Sequence, residues 1–203
     1  MLIKICGIQT KEVAVEAANA GADLIGFVFA PSKRRISPFQ AAKIAYHLPK
    51  PIKKVGVFVD EPVEKIIDIA KTVDLDYIQL HGKEEPSLAQ SLPYKIIKAF
   101  PINEVTDSIR SYPCSYYLID SASSDYRGGS GKTFDWDKIN HLSIDKNKLI
   151  LAGGLAPENI DLAIKTVKPA GIDVSSGVET NGEKDLSKIR AFIHNARKAA
   201  KMD

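Results

Sequence analysis

The reading of the fold turns on residues 54–80, KVGVFVDEPVEKIIDIAKTVDLDYIQL. Lys54–Val59 is a short apolar, β-branched run, and Tyr77–Leu80 is another. Runs of this length, bounded by Gly, Pro or Asp, read as strands. Between them Val63, Ile66, Ile67 and Ala70 share one helical face, while Glu64, Lys65, Asp68 and Lys71 point away. Pro62 stands where a first helical turn tolerates proline. The stretch is one strand–helix–strand unit, the element from which parallel sheets are built.

The same alternation extends in both directions. Strand-like runs occur at Leu2–Cys6, Leu24–Phe29, Lys95–Ala99, Tyr116–Asp120, Leu149–Ala152 and Gly171–Val174, which with the first two makes eight. Helical periodicity marks Lys11–Asn19, Pro157–Val167 and Asp185–Lys198. The segments after strands five and six are weaker helices. Eight such units in 203 residues predict an α/β fold, a single (β/α)8 TIM barrel near the lower length limit of about 200 residues. The expected domain is residues 1–203. The rival is an open doubly wound sheet, but the first turn, Cys6-Gly7-Ile8-Gln9-Thr10, carries no G-x-G-x-x-G, so a dinucleotide-binding half has no support.

Composition narrows the partners. Hydrophobic residues are 44% of the chain and charged residues 26%, ordinary for a globular domain. Twenty-eight basic against 25 acidic residues leave a net charge of +3, too even to argue for nucleic acid or a membrane surface, yet no obstacle to a small anionic substrate. The N-terminus MLIKICGIQT has no signal-peptide core, and no apolar run is long enough to span a bilayer. Two cysteines make neither a disulfide framework nor a metal cluster, so the expected compartment is the reducing cytosol, with a cytoplasmic protein that is monomer or homodimer.

In such a barrel, function sits at the C-terminal strand ends. Side chains alternate along a strand. If Ile3 and Ile5 face the helices, Lys4 and Cys6 face inward; likewise Gln79 and His81, Asp120, and Asp173. One thiol, one imidazole and two carboxylates then converge on one mouth. Taken singly, each has a plainer reading. A buried Cys is usually a small hydrophobe, a strand-end Asp often caps the next helix, and Lys4 with Asp173 on adjoining strands suits a structural ion pair. Convergence favours the functional reading.

Two glycine loops point to an anion. Gly153-Gly154-Leu155 follows strand seven and leads into the helix expected from Pro157; Ser175-Ser176-Gly177 follows strand eight. Loops at these positions commonly bind phosphate, because glycine lets backbone N–H groups approach and a helix N-terminus adds partial positive charge. Gly154, Ser176 and Gly177 are the candidate phosphate ligands. Gly128–Thr133 falls short of a Walker A loop, since Tyr126 stands where its first glycine belongs; a lid suits it better. In Ser32-Lys33-Arg34-Arg35-Ile36-Ser37, Arg34 or Arg35 can fork onto a substrate carboxylate.

These residues resemble a known family. Lys4-Ile5-Cys6-Gly7-Ile8, Gly26-Phe27-Val28-Phe29-Ala30-Pro31, Val55-Gly56-Val57-Phe58-Val59, Gln79-Leu80-His81-Gly82, Gly128–Trp136, Gly153-Gly154-Leu155 and Asp173–Glu179 resemble, in order and spacing, the motifs of phosphoribosylanthranilate isomerases. The resemblance implies an Amadori rearrangement of N-(5'-phosphoribosyl)anthranilate to 1-(2-carboxyphenylamino)-1-deoxyribulose 5-phosphate in tryptophan biosynthesis, with a phosphosugar substrate and no metal or organic cofactor. By position it implies Cys6 as general base, Asp120 as general acid, Arg34 on the anthranilate carboxylate, and Gly154, Ser176 and Gly177 on the phosphate. His81 and Asp173 are further active-site candidates. Gln9, Arg35 and the Tyr126-Arg127-Gly128 order depart from the family pattern. A related isomerase of a histidine precursor would pair aspartates, whereas strand one ends in Cys6. A pentulose-phosphate epimerase would want a metal cluster that His81 alone cannot supply. A non-catalytic phosphosugar-binding barrel would have no need of Cys6 and Asp120 together.

Overall fold

Alternating strands and helices close on themselves here because each strand buries one face against a helix and the other against the facing strands. A computed structural model describes residues 1–120, 136–142 and 144–201. Eight parallel strands form a closed barrel in sequential order: β1 Leu2–Cys6, β2 Leu24–Val28, β3 Lys53–Phe58, β4 Tyr77–Leu80, β5 Lys95–Pro101, β6 Tyr116–Asp120, β7 Leu149–Leu151 and β8 Gly171–Val174. Closure is made by β1 pairing with β8, where Lys4 lies beside Asp173.

The outer layer is uneven. Helices α1 Lys11–Ala20, α2 Pro38–Ala45, α3 Val63–Val73, α6 Ile160–Val167 and α7 Leu186–Ala199 are well formed. Three of them begin at a side-chain cap. Thr10 caps α1 through Val13 N–H, Ser37 and Gln40 form a capping box on α2, and Asp185 caps α7 through the N–H groups of Ser187 and Lys188. By contrast α4, Pro86–Ser91, and α5, Asp137–Asn140, are about one turn each, and β5 is followed by the 3-10 turns Ile102–Glu104 and Asp107–Ser111. The weak periodicity after strand five corresponds to 3-10 turns, and among the described residues after strand six to the short α5.

Several element bounds differ by a residue or two from the sequence reading, and the helix starts differ for local reasons. α6 begins at Ile160 instead of Pro157, because Asn159 bonds back into the preceding loop, its Oδ1 accepting from Ala156 N–H and its Nδ2 donating to Gly154 O, both at 2.9 Å. Pro62 is the N-cap of α3 and not part of its first turn. α2, capped at Ser37, lacks an obvious periodic signal in so short a segment.

Two apolar layers result. Ile3, Ile5, Ile78, Leu80, Ile119, Ile172 and Val174 pack outward with the helices; Leu24, Val55, Ile97, Ala99, Leu118, Ile150 and Ala152 fill the barrel. The inward and outward assignments made from alternation hold on β1, β4, β6 and β8. Apolar filling of the interior leaves the polar inward residues to the mouth. Among the described residues no helix is long and apolar enough to cross a membrane.

Candidate active site

The mouth has two walls. On the first, Lys4 is fully buried, and its Nζ donates to Asp173 Oδ1 at 2.9 Å. Cys6 pairs with Gly26 across β1 and β2. Gly26 is needed there: a Cβ at that position would lie 2.9 Å from Cys6 Sγ and 3.1 Å from Lys4 Nζ. Burial pushes the Cys6 thiol up; Lys4 and Lys184 pull against it, and Asp173 adds to it. The lowered thiol that would suit a base is thus not produced by the enclosing protein groups, because desolvation outweighs the two cations.

Arg34 is buried and Arg35 is exposed, so only Arg34 faces this wall. Its guanidinium forks onto Glu179, Nε to Oε1 at 2.6 Å and a terminal nitrogen to Oε2 at 2.9 Å. Lys184 reaches the same carboxylate at 2.8 Å and also donates to Ser175 O at 2.8 Å. Burial pushes the Glu179 carboxyl up, but the bonds from Arg34 and Lys184 outweigh it and hold it at about 2. The arginine packs over Gly7, which has φ +78°, and whose Cβ would sit 2.5 Å from Arg34 Cδ. Gln9 donates to the carbonyls of Lys33 and Arg35, both at 3.3 Å, tethering the loop from below.

Sequence reasoning passed over Glu179 as a partner, and over Lys184, Asn159 and Gly26. One signal was present. Asn181-Gly182 is the two-residue sequence that favours a tight hairpin, and with φ of 53° and 86° it folds Glu183–Lys184 back on Glu179–Thr180, pairing Lys184 with Glu179. Nothing local announced that Arg34 would find that carboxylate 145 residues on.

On the second wall His81 follows β4. Gln79 Nε2 lies 2.9 Å from its Nδ1, and its Nε2 stands 3.8 Å from Asp120 Oδ2. Burial lowers the imidazole below its ordinary value, with Asp120 opposing, so the ring is neutral near pH 7. The ring thus presents Nδ1 to Gln79 and Nε2 toward Asp120.

Between the walls the two glycine loops meet. Gly153 and Gly154 have φ of 83° and 66°. Gly177 fits against the other loop so closely that a Cβ would fall 1.8 Å from Leu155 O. One cleft is lined by Asp120, Gly153, Gly154, Asp173, Ser176 and Gly177 among others. The sequence candidates are thereby assembled: Cys6, Arg34 and Asp173 on one side, His81 and Asp120 on the other, and Gly154, Ser176 and Gly177 between. The lid expected at Gly128–Thr133 lies outside the described residues. No cluster of three or more metal-ligating side chains occurs among the described residues.

Fold and mouth together define a class, a (β/α)8-barrel enzyme whose ionisable side chains flank paired glycine loops. The particular family follows from likeness. The family model of N-(5'-phosphoribosyl)anthranilate isomerase matches residues 3–195. The N-(5'-phosphoribosyl)anthranilate isomerase of Listeria welshimeri is 52% identical over 200 residues, covering 97% of this chain and 98% of that one. The crystal structure of the phosphoribosyl anthranilate isomerase of Thermus thermophilus superposes with a TM-score of 0.89 at 36% identity, covering 98% of this chain and 99% of that one. A further phosphoribosyl anthranilate isomerase, solved in complex with reduced 1-(o-carboxyphenylamino)-1-deoxyribulose 5-phosphate, has a TM-score of 0.81 at 38% identity, with 98% and 100% covered. This chain belongs to the N-(5'-phosphoribosyl)anthranilate isomerase family.

Proposed function

We infer that the chain converts N-(5'-phosphoribosyl)anthranilate to 1-(2-carboxyphenylamino)-1-deoxyribulose 5-phosphate in tryptophan biosynthesis, with Cys6 as general base and Asp120 as general acid. The reaction needs both. A proton delivered to the ring oxygen lets the C1'–O bond break while the nitrogen lone pair forms an iminium. That cation acidifies the C2' hydrogen; a base removes it, and the electron pair becomes the C1'=C2' bond of an enol. Return of a proton to C1' and loss of the enol proton leave the ketone. Acid and base must act on different faces of the sugar, and what supports the assignment is that Cys6 ends β1 while Asp120 ends β6, three strands away around the closed barrel.

The remaining roles follow from charge and shape. Gly154, Ser176 and Gly177 offer backbone N–H groups to the phosphate, in the cleft that also contains Asp120. The guanidinium of Arg34 holds the anthranilate carboxylate while Glu179 holds Arg34. His81, neutral and hydrogen-bonded by Gln79, orients Asp120. Asp173 acts through Lys4. Residues 1–203 serve as one catalytic domain, and the two free thiols suit a cytoplasmic setting.

The test is turnover of phosphoribosylanthranilate by the purified chain and two variants. A positioned acid or base contributes about 10²–10⁴-fold. Cys6→Ser and Asp120→Asn should each lower kcat by at least that order with KM changed much less. The rate of the unaltered enzyme should rise with pH as the thiol ionises, and this limb should vanish in Cys6→Ser. Near-normal kcat in a folded Cys6→Ser protein would make the thiol core packing, with His81 and Asp173 next to examine.

A further inference from the structure

We propose that Lys4 is a positioning residue for the base: its buried ammonium, fixed by Asp173, stands beside Cys6 and favours its thiolate against the cost of burial. This rests on the reading of Cys6 as base.

The geometry carries the argument. β1 is short, and alternation puts Lys4 and Cys6 inward, one above the other on the same face. The Cβ position that Gly26 leaves free is 2.9 Å from Sγ and 3.1 Å from Nζ, so the two atoms lie within about 6 Å of each other, the range in which an opposite charge favours ionisation. Both charge and proximity act on the thiol, which Lys4 favours in its ionised form. Lys4 cannot leave: it is wholly buried and held by Asp173 at 2.9 Å in register across the β1–β8 seam. A lysine with no exposure and one carboxylate partner keeps donor capacity, since an ammonium has three N–H bonds. The thiol is the group that shares the Gly26 niche with that ammonium.

Other groups facing Cys6 are accounted for. Lys184, from the hairpin after β8, acts in the same sense as Lys4 but more weakly, and is committed to Glu179 and Ser175. Asp173 acts in the opposite sense on the thiol and is itself neutralised by Lys4. Arg34 lies over Gly7 and is paired with Glu179. His81, neutral, and Asp120 stand on the opposite wall, 3.8 Å from each other. Burial is the largest influence and opposes the thiolate; among the charges Lys4 is the largest that favours it. Removing Lys4 must therefore raise the thiol.

The experiment compares Lys4→Met with Lys4→Met/Asp173→Asn, which replaces the whole pair by neutral groups and so guards against a carboxylate left alone. Both are made in a Cys114→Ser background, so that one thiol remains. The pH dependence of iodoacetamide alkylation, read by mass spectrometry, titrates Cys6 directly; the pH dependence of kcat/KM is measured alongside. In both variants the alkylation midpoint and the ascending limb of the rate should move up together, by on the order of one pH unit, which is about a tenfold loss of rate on the slope. An unmoved alkylation midpoint in folded protein overturns the role of Lys4 and leaves Cys6 as base. A midpoint that moves while the rate limb stays, and that limb surviving in Cys6→Ser, removes Cys6 as base and the role of Lys4 with it.

Discussion

Lys4 and Lys98 are both buried against carboxylates, and they do different things. Lys98 Nζ meets Glu84 Oε2 at 2.7 Å and Gly82 O at 2.6 Å, and lies 5.6 Å from the ring centres of Phe100 and Tyr112. Glu84 in turn accepts the N–H groups of Asp60 and Gly82, both at 3.0 Å. The polar capacity of this pair is absorbed by the loops after β3 and β4. Ile97 and Ala99 point into the barrel, so Lys98 points out of its interior. Lys4 has the same burial and a similar partner distance but points inward, and beyond Asp173 it meets a thiol. Burial makes an ammonium costly in both places. Whether the protein or the reaction space receives its remaining hydrogen bonds separates a clamp from a working charge.

That contrast can be broken. Lys98→Met leaves Glu84 buried without its cation, a change that costs about 3–5 kcal/mol. A urea denaturation midpoint should fall accordingly, while kcat per folded molecule stays within a few-fold. Loss of kcat with full stability would mean that the outer pair also serves chemistry.

Gly26→Ala presses on the inner pair without removing a charge. Its methyl would meet Sγ and Nζ at about 3 Å, and overpacking of this kind costs roughly 1–3 kcal/mol. Turnover should drop more than the loss of folded protein explains. Unchanged kcat would show that the spacing of Lys4 and Cys6 is not critical.

The smallest effect is expected at Glu179, whose partner Arg34 is shared with the site. Glu179→Gln removes the counter-charge that orients the guanidinium, so KM should rise several-fold with kcat nearly kept. A lower KM would identify Glu179 as a competitor of the substrate carboxylate. The pH dependence has a definite sign. The folded carboxyl, held at about 2, lies below its ordinary value of 4.5, so its stabilisation is present above the ordinary value and lost as pH falls toward 2. The stability advantage of the unaltered protein over Glu179→Gln should fade across that interval.

The barrel and most of its mouth could be read from the order of residues. Strand periodicity in Leu2–Cys6, Tyr77–Leu80, Tyr116–Asp120 and Gly171–Val174 assigns Cys6, His81, Asp120 and Asp173 to one end, because alternation is a property of the backbone and acts locally. The glycines of Gly153–Gly154 and Gly177 were equally visible, since only glycine tolerates such conformations and approaches. Helix starts were harder: Asn159 closes a loop where propensity alone would begin α6.

Tertiary structure decided the partners and the charge states. Arg34 and Glu179 are 145 residues apart, and Lys4 and Asp173 are 169 apart; only closure of β1 on β8 makes the second pair neighbours. A sequence shows which groups can ionise, but burial and the groups gathered around them set how readily they do. Cys6 was legible as an inward thiol. That desolvation would outweigh its cations, and that Lys4 would be the principal charge opposing it, depends on packing that no local pattern encodes.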